Sequence, residues 1–144
     1  MELNEMLSLI FKIVLAVCAG GIIGLEREMK HKGAGLRTHI IICLGSMLAA
    51  LTSLYLFDMY SYTNIVDPTR IIAGVVTGIG VLCAGTIMRG GETVIGLTTA
   101  ATLWVISGIG VAIGAGFYVP AVLVTLTVYG VLYGMKTIQK KLEE

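Results

Sequence analysis

The feature that most constrains this chain is a succession of apolar runs. Each is close to the roughly 20 residues that an α-helix needs to cross a hydrocarbon core about 30 Å thick. Residues 6–25 are interrupted only by Lys12, which lies near enough to the start to snorkel to the headgroups. Residues 38–57 form the second run, with Tyr55, Phe57, Tyr60 and Tyr62 collecting at its far end like an interfacial belt. Asp67 then suits an N-cap and Pro68 a first helical position, where a missing N–H costs nothing, opening a third run to Met88. Arg89-Gly90-Gly91-Glu92 reads as a flexible turn, residues 97–116 as a fourth span, and Phe117-Tyr118-Val119-Pro120 as a tight turn into a fifth that ends near Met135. The predicted fold is all-α: a single polytopic membrane domain over residues 1–144, with five transmembrane helices at about 6–25, 38–57, 68–88, 97–116 and 119–135.

Composition agrees. Of 144 residues, 56% are hydrophobic and 13% charged, and the mean hydropathy is +0.92; a soluble domain carries about 25% charged residues. A formal net charge of +1 gives no reason to expect a nucleic-acid partner, so the lipid bilayer is the expected one. What matters is where the basic residues fall. With five spans, Arg27, Lys30, Lys32, Arg37, Arg89, Lys136, Lys140 and Lys141 share one side, and only Lys12 and Arg70 lie toward the other. This eight-to-two bias puts the N-terminus outside and the C-terminus in the cytoplasm. A four-span version would strand the C-terminal lysines on the wrong side. The acidic start MELNEMLSLIFK lacks a basic n-region, which argues against a cleavable signal peptide.

Glycines recur four apart at Gly20/Gly24, Gly74/Gly78, Gly110/Gly114 and Gly130/Gly134. In lipid, where helices are not driven together by the hydrophobic effect, such pairs give smooth contact faces. They suit packing within the bundle, and homo-oligomer contacts are the alternative. Cys18, Cys43 and Cys83 lie in apolar runs without redox or zinc spacing and read as small core residues.

Topology gathers a polar cluster at the basic face: Glu26, Arg27 and Glu28 after the first span, Arg37 and Thr38 opening the second, Arg89 and Glu92 after the third, Thr98 and Thr99 opening the fourth. The N-termini of the second and fourth helices point there, and their unpaired N–H groups, with Arg37 and Arg89, favour an anionic headgroup or phosphate. The plainer reading is that these charges pair among themselves and obey the orientation rule. Glu26, Glu28 and Glu92 are a weak signal for hydrated Mg²⁺, so no metal site is assigned. On the opposite face Asp67 and Arg70 sit three apart and can pair.

No Asp, Glu, His or Arg is expected in the hydrocarbon, where ionisable residues mark ion routes. Ser46, Thr52, Ser53, Thr77, Thr86, Thr102 and Ser107 can return their hydrogen bonds to their own helices. Trp104 reads as a packing residue. His31 and His39 lack zinc spacing, and Gly20-Gly21-Ile22-Ile23-Gly24 lies in a span with no strand before it. No catalytic residue, enzymatic activity or cofactor is expected.

Six strings carry a family resemblance: Gly24-Leu25-Glu26-Arg27-Glu28, Ala34-Gly35-Leu36-Arg37-Thr38, Asp67-Pro68-Thr69-Arg70, Gly78-Ile79-Gly80, Ala84-Gly85-Thr86-Ile87-Met88-Arg89, and the run from Gly96-Leu97-Thr98-Thr99 to Trp104. In this order the chain resembles the MgtC/SapB membrane domain. Gly74, Cys83, Ile95 and Thr98 stand where that pattern often has glutamine, glycine, a basic residue and, in some members, asparagine. The resemblance implies a five-helix protein of the prokaryotic cytoplasmic (inner) membrane, linked to growth at low Mg²⁺, to survival inside macrophages and to restraint of the ATP synthase, which becomes an expected membrane partner. It implies no settled biochemical activity. Virulence-type members add a cytoplasmic C-terminal domain, and the expectation here is the transmembrane domain alone. The resulting expectation is a non-enzymatic membrane regulator or interaction protein tied to Mg²⁺ limitation and membrane energetics; the alternative is a transporter or channel for Mg²⁺ or a small ion, with a pathway between subunits lined by Thr77, Thr86 and Thr102.

Overall fold

Each apolar run forms a helix. The computed structural model describes residues 2–60, 67–90 and 93–142, with side chains as far as Gly134. Its elements are α1 (Leu3–Met29), α2 (Leu36–Met59), α3 (Thr69–Thr86), β1 (Met88–Gly90), β2 (Thr93–Ile95), α4 (Leu97–Gly114) and α5 (Tyr118–Leu142). The first four helices are long and apolar enough to cross a membrane, and α5 carries a shorter apolar stretch, Tyr118–Gly134. The chain is thus an all-α polytopic membrane fold.

Three boundaries differ from the sequence expectation in ways that move functional residues. Glu26, Arg27 and Glu28 belong to the last turn of α1, not to a polar loop. The third helix stops at Thr86 rather than 88, and Arg89 and Gly90 are strand-paired instead of forming a flexible turn: Met88 faces Ile95, Arg89 faces Val94 and Gly90 faces Thr93. The β-branched run Thr93-Val94-Ile95 favours this extended pairing. Gly91 and Glu92 lie outside the described residues, as does Tyr62 of the aromatic belt; Tyr55, Phe57 and Tyr60 are exposed near the end of α2.

Two helices end in the same hydrogen-bonded motif. At the end of α4, Gly116 N–H donates to Ile113 O (3.1 Å) and Phe117 N–H to Ala112 O (2.8 Å), with Gly116 left-handed at φ 85°. At the end of α1, His31 N–H donates to Glu28 O (2.9 Å) and Lys32 N–H to Arg27 O (3.0 Å), but the left-handed position, φ 52°, is His31. This pattern satisfies the last carbonyls of a helix and normally takes glycine. Gly96 opens α4 at φ 92°, and a Cβ there would collide with the Thr86 carbonyl oxygen, so glycine closes the hairpin onto the end of α3.

α2 is gripped from two sides. A Cβ on Gly20 would lie 2.7 Å from Ile40 Cα, and one on Gly24 2.8 Å from Leu36 Cα, so α1 meets α2 at backbone contact. From the other side a Cβ on Gly110 would strike the Cys43 carbonyl, and one on Gly114 would lie 2.5 Å from that of Met47. These two of the four glycine pairs pack the bundle, whereas Gly74, Gly78, Gly130 and Gly134 face open space. The main core joins Ala16, Ala19 and Ile23 of α1 to Cys43 and Met47 of α2 and Ile106, Ile109 and Ile113 of α4. α3 packs on α4 through Ile79 and Cys83. Trp104, expected to pack, is 53% exposed on the outer side of α4.

Candidate functional site

The last turn of α1, the first turn of α2 and the first turn of α4 meet at one end of the bundle. The heptad-like stripe His39, Cys43, Ser46, Ala50, Ser53 is the buried side of α2. Its first member is a fully buried histidine. An ionisable side chain therefore lies between helices, at the start of α2. His39 Nδ1 donates to the Gly35 carbonyl at 2.9 Å, an acceptor only, and Nε2 meets the Thr102 hydroxyl at 3.1 Å. Thr102 Oγ1 also lies 2.8 Å from Thr99 O, so one hydroxyl proton is shared between two acceptors.

Thr99 continues the seam into α1, where its hydroxyl accepts from Arg27 Nη2 at 3.3 Å. Arg27 is 4% exposed and lies 3.7 Å from the buried Glu26 carboxylate, which Lys30 also pairs across one helical turn. Glu26 is therefore held by charge from both sides. Arg27 Nε has no acceptor. Removing one partner from such a set leaves a buried charge uncompensated and costs about 3–5 kcal/mol, so the group acts first as a clamp on the helix ends. Lys30 additionally donates to Leu132 O of α5 at 2.8 Å. At the far end of the bundle Lys12, expected to reach headgroups, donates instead to Gly114 O at 2.9 Å, the last residue of α4, where a cation complements the helix dipole.

The residues singled out by sequence separate into two groups. Glu26, Arg27 and Thr99 come together in the seam. Glu28 turns to α2 and accepts the Leu36 N–H at 2.7 Å, while Arg37, Thr38, Arg89 and Thr98 are exposed. Glu92 lies outside the described residues. Among the described residues no group of three His, Cys, Asp or Glu could hold a metal ion. Asp67 does not form a close ion pair with Arg70; its carboxylate accepts from Thr69 N–H (2.8 Å) and Thr69 Oγ1 (2.7 Å). The Thr69 hydroxyl and N–H, with the nearby Arg70 charge, hold its carboxyl below the usual carboxylate range. The threonines of the transport alternative do not converge within the chain: Thr77 returns its hydroxyl to Ala73 O on an exposed face, Thr86 to Cys83 O, and Thr102 sits in the seam. Ser53 departs from local bonding, donating across to Pro68 O.

Beside the seam is a cleft of about 910 Å³ between the α1–α2 turn, the start of α4 and α5. Arg27, Lys30, His31 and Lys32 line it together with Gly96, Leu97, Thr98 and Thr99.

The model of the MgtC family matches residues 13–141. The chain is 49% identical over 111 residues to the YhiD protein of Escherichia coli (strain K12), named provisionally as a magnesium transporter, covering 76% of this chain and 52% of that one. It is 42% identical over 114 residues to Protein SapB of Bacillus subtilis (strain 168), covering 76% and 49%. With Protein MgtC of Salmonella typhimurium (strain LT2) it shares 40% identity over 119 residues, covering 83% and 48%. The chain spans about half the length of these curated relatives. No solved structure matches it. A family model that follows the chain from within α1 into α5, and relatives 40–49% identical over 76–83% of it, lead to one conclusion: this chain belongs to the MgtC family.

Proposed function

We propose that this chain is a membrane regulator that works by contact with a partner, neither conducting ions nor catalysing a reaction. One observation carries the reading: the ionisable side chains that enter the helical layer serve as cross-links between helices. Arg27 ties α1 to α4, His39 ties α2 to α4, Lys30 ties α1 to α5 and Lys12 ties α1 to the end of α4. Ionisable groups along a conduction route serve a moving ion; here Arg27, His39, Lys30 and Lys12 are each spent on holding two helices, and Glu26 pairs with Arg27 and Lys30 within α1. By contrast Arg37, Thr38 and Arg89 stand exposed on the same face, available to a partner. The distribution of basic residues favours the cytoplasm for this face, and the resemblance supplies a prokaryotic inner membrane. The resemblance supplies the ATP synthase as the partner to test first, and magnesium limitation as the condition, in keeping with the name of the Escherichia coli relative.

The test is purification into liposomes with Mg²⁺ and proton flux measured against empty vesicles, beside growth at low Mg²⁺ of cells carrying Arg37→Ala and Arg89→Ala. The reading expects no flux above the control, and variants that fold normally, with stability changed by no more than about 0.5 kcal/mol, yet lose the growth benefit. Flux that His39→Leu abolishes would make the chain a transporter instead. Unchanged growth of both arginine variants would remove these residues from the contact surface.

A further inference from the structure

The ring of His39 is fully buried, and its two nitrogens have different freedom. Nδ1 faces the Gly35 carbonyl, which can only accept, so it always carries a proton and Nε2 decides the charge. In the neutral ring Nε2 accepts the Thr102 hydroxyl at 3.1 Å. In a charged ring it would donate, and the hydroxyl would turn to Thr99 O, 2.8 Å away. Hydrogen bonding thus tolerates either state at the same heavy-atom positions, and the surrounding charge decides between them.

Most of that charge opposes a second proton. His39 lies in the first turn of α2, where the partial positive charge of a helix start disfavours a cation. From α1, Arg27 and Glu26 reach the ring, Arg27 the more strongly, and Lys30 stands behind Glu26: two cations against one carboxylate. α4 brings hydroxyls alone, Cys43 lies one turn along α2, Cys83 of α3 donates to Ala100 O, and α5 meets this end through the Leu132 carbonyl that Lys30 holds. Nor can a charged ring turn aside. A Cβ on Gly24 would lie 3.0 Å from His39 Cβ, and one on Gly20 2.9 Å from its carbonyl oxygen, so α1 is laid directly on this turn of α2. The ring reaches water only if the helix ends part. Further along α4, Ile106 and Ile113 are held by apolar packing that a proton does not touch, which confines the parting to this end of the bundle.

We propose that His39 is a proton-operated latch: while the ring is neutral it holds the starts of α2 and α4 to the end of α1, and a proton, which the parted helix ends accept and the closed ones do not, releases them. The parted state binds one proton more once pH falls below the ordinary imidazole value of about 6.5, so it gains on acidification by up to about tenfold per pH unit. The released turns carry the exposed Arg37 and Thr98, so acid reshapes that face of the protein. The inference concerns the junction itself and is independent of the regulator reading, since such a latch would serve a transporter equally well.

The chain has only two histidines, so His31→Asn, which suits the left-handed turn, leaves a single imidazole to follow. The experiment takes this full chain in lipid nanodiscs from about pH 8 to about pH 5.5, recording nitrogen-15 spectra of the ring and amide exchange with its intrinsic pH dependence divided out. The ring is expected to stay neutral, with its proton on Nδ1, wherever the helix ends remain protected. Protection of residues 39–43 and 100–103 should fall by up to about tenfold per pH unit below about pH 6.5, while residues 106–113 hold. His39→Gln keeps an amide for hydrogen bonding but takes up no proton in this range, so its protection should stay flat; if it does not fold, the ring spectra decide alone. A ring that becomes charged while both helix starts stay protected would overturn the latch. So would an equal fall in His39→Gln, which would assign the titration to Glu26, or an equal fall at residues 106–113, which would make the event global unfolding.

Discussion

Thr102 has one hydroxyl proton and two acceptors within reach, Thr99 O at 2.8 Å and the His39 ring at 3.1 Å. Interhelical hydrogen bonds between membrane helices are worth only about 0.6 kcal/mol on average and up to about 1.7, so the value of this pair lies in what its loss would leave behind. Thr102→Val should destabilise the fold by about 1–2 kcal/mol in detergent denaturation, because a fully buried ring nitrogen then has no partner. The double change Thr102→Val with His39→Leu should cost clearly less than the two singles summed, the coupling that contacting residues show. At Asp67 the direction comes from titration. Its carboxyl is held low chiefly by the Thr69 hydroxyl and N–H, so its contribution is present above the unfolded value of about 3.9. It is lost as pH falls through the lower folded value. Protection of the amides at the start of α3, with the intrinsic pH dependence of exchange divided out, should therefore fall on acidification below about pH 4 in the native chain and stay flat in Asp67→Asn. Of these residues Arg27 and Thr99 were legible from topology, which brings the ends of the first and fourth spans together. His39 was not singled out, although its spacing with Cys43, Ser46 and Ala50 marks it as the first step of a buried stripe. A reading by hydrophobicity passes over a polar residue at the head of a small-residue face.

The helices differ most in how they use glycine. Gly20/Gly24 and Gly110/Gly114 are where α1 and α4 touch the α2 backbone, and Gly74/Gly78 of α3 face open space, yet all three pairs look alike in sequence. Gly110→Ala should therefore cost about 1–3 kcal/mol, because the new methyl meets the rigid Cys43 carbonyl. Gly78→Ala should be neutral or stabilising by up to about 1 kcal/mol, since alanine is the better helix former and nothing lies within 4 Å. The melting temperatures of the two variants, measured side by side, check this. Helix existence was plain from run length, because about 20 apolar residues in succession have few other uses. Helix ends were less so: hydropathy falls at Glu26, but backbone pairing continues until the His31 turn, since a helix can carry charged residues in its last turn when they have partners.

At the scale of the molecule, the polar seam and the glycine contacts converge on one arrangement, with α2 between α1 and α4 and α3 to the side. More than half of the apolar window of α4 is buried, 56%, against 11% for α3. Sequence order and spatial order thus disagree: the helix that completes the core is made after one that hardly joins it. No periodicity within a single span reveals this, because it is a relation between spans. During synthesis α1 and α2 enter the membrane carrying Arg27 and His39, whose hydroxyl partners, Thr99 and Thr102, sit on a segment not yet made. Until α4 arrives, Arg27 has only Glu26 of its own helix and the His39 ring only the Gly35 carbonyl. The seam therefore stays half-paired while α3 is made, and the turn from Thr99 to Thr102 is what closes it.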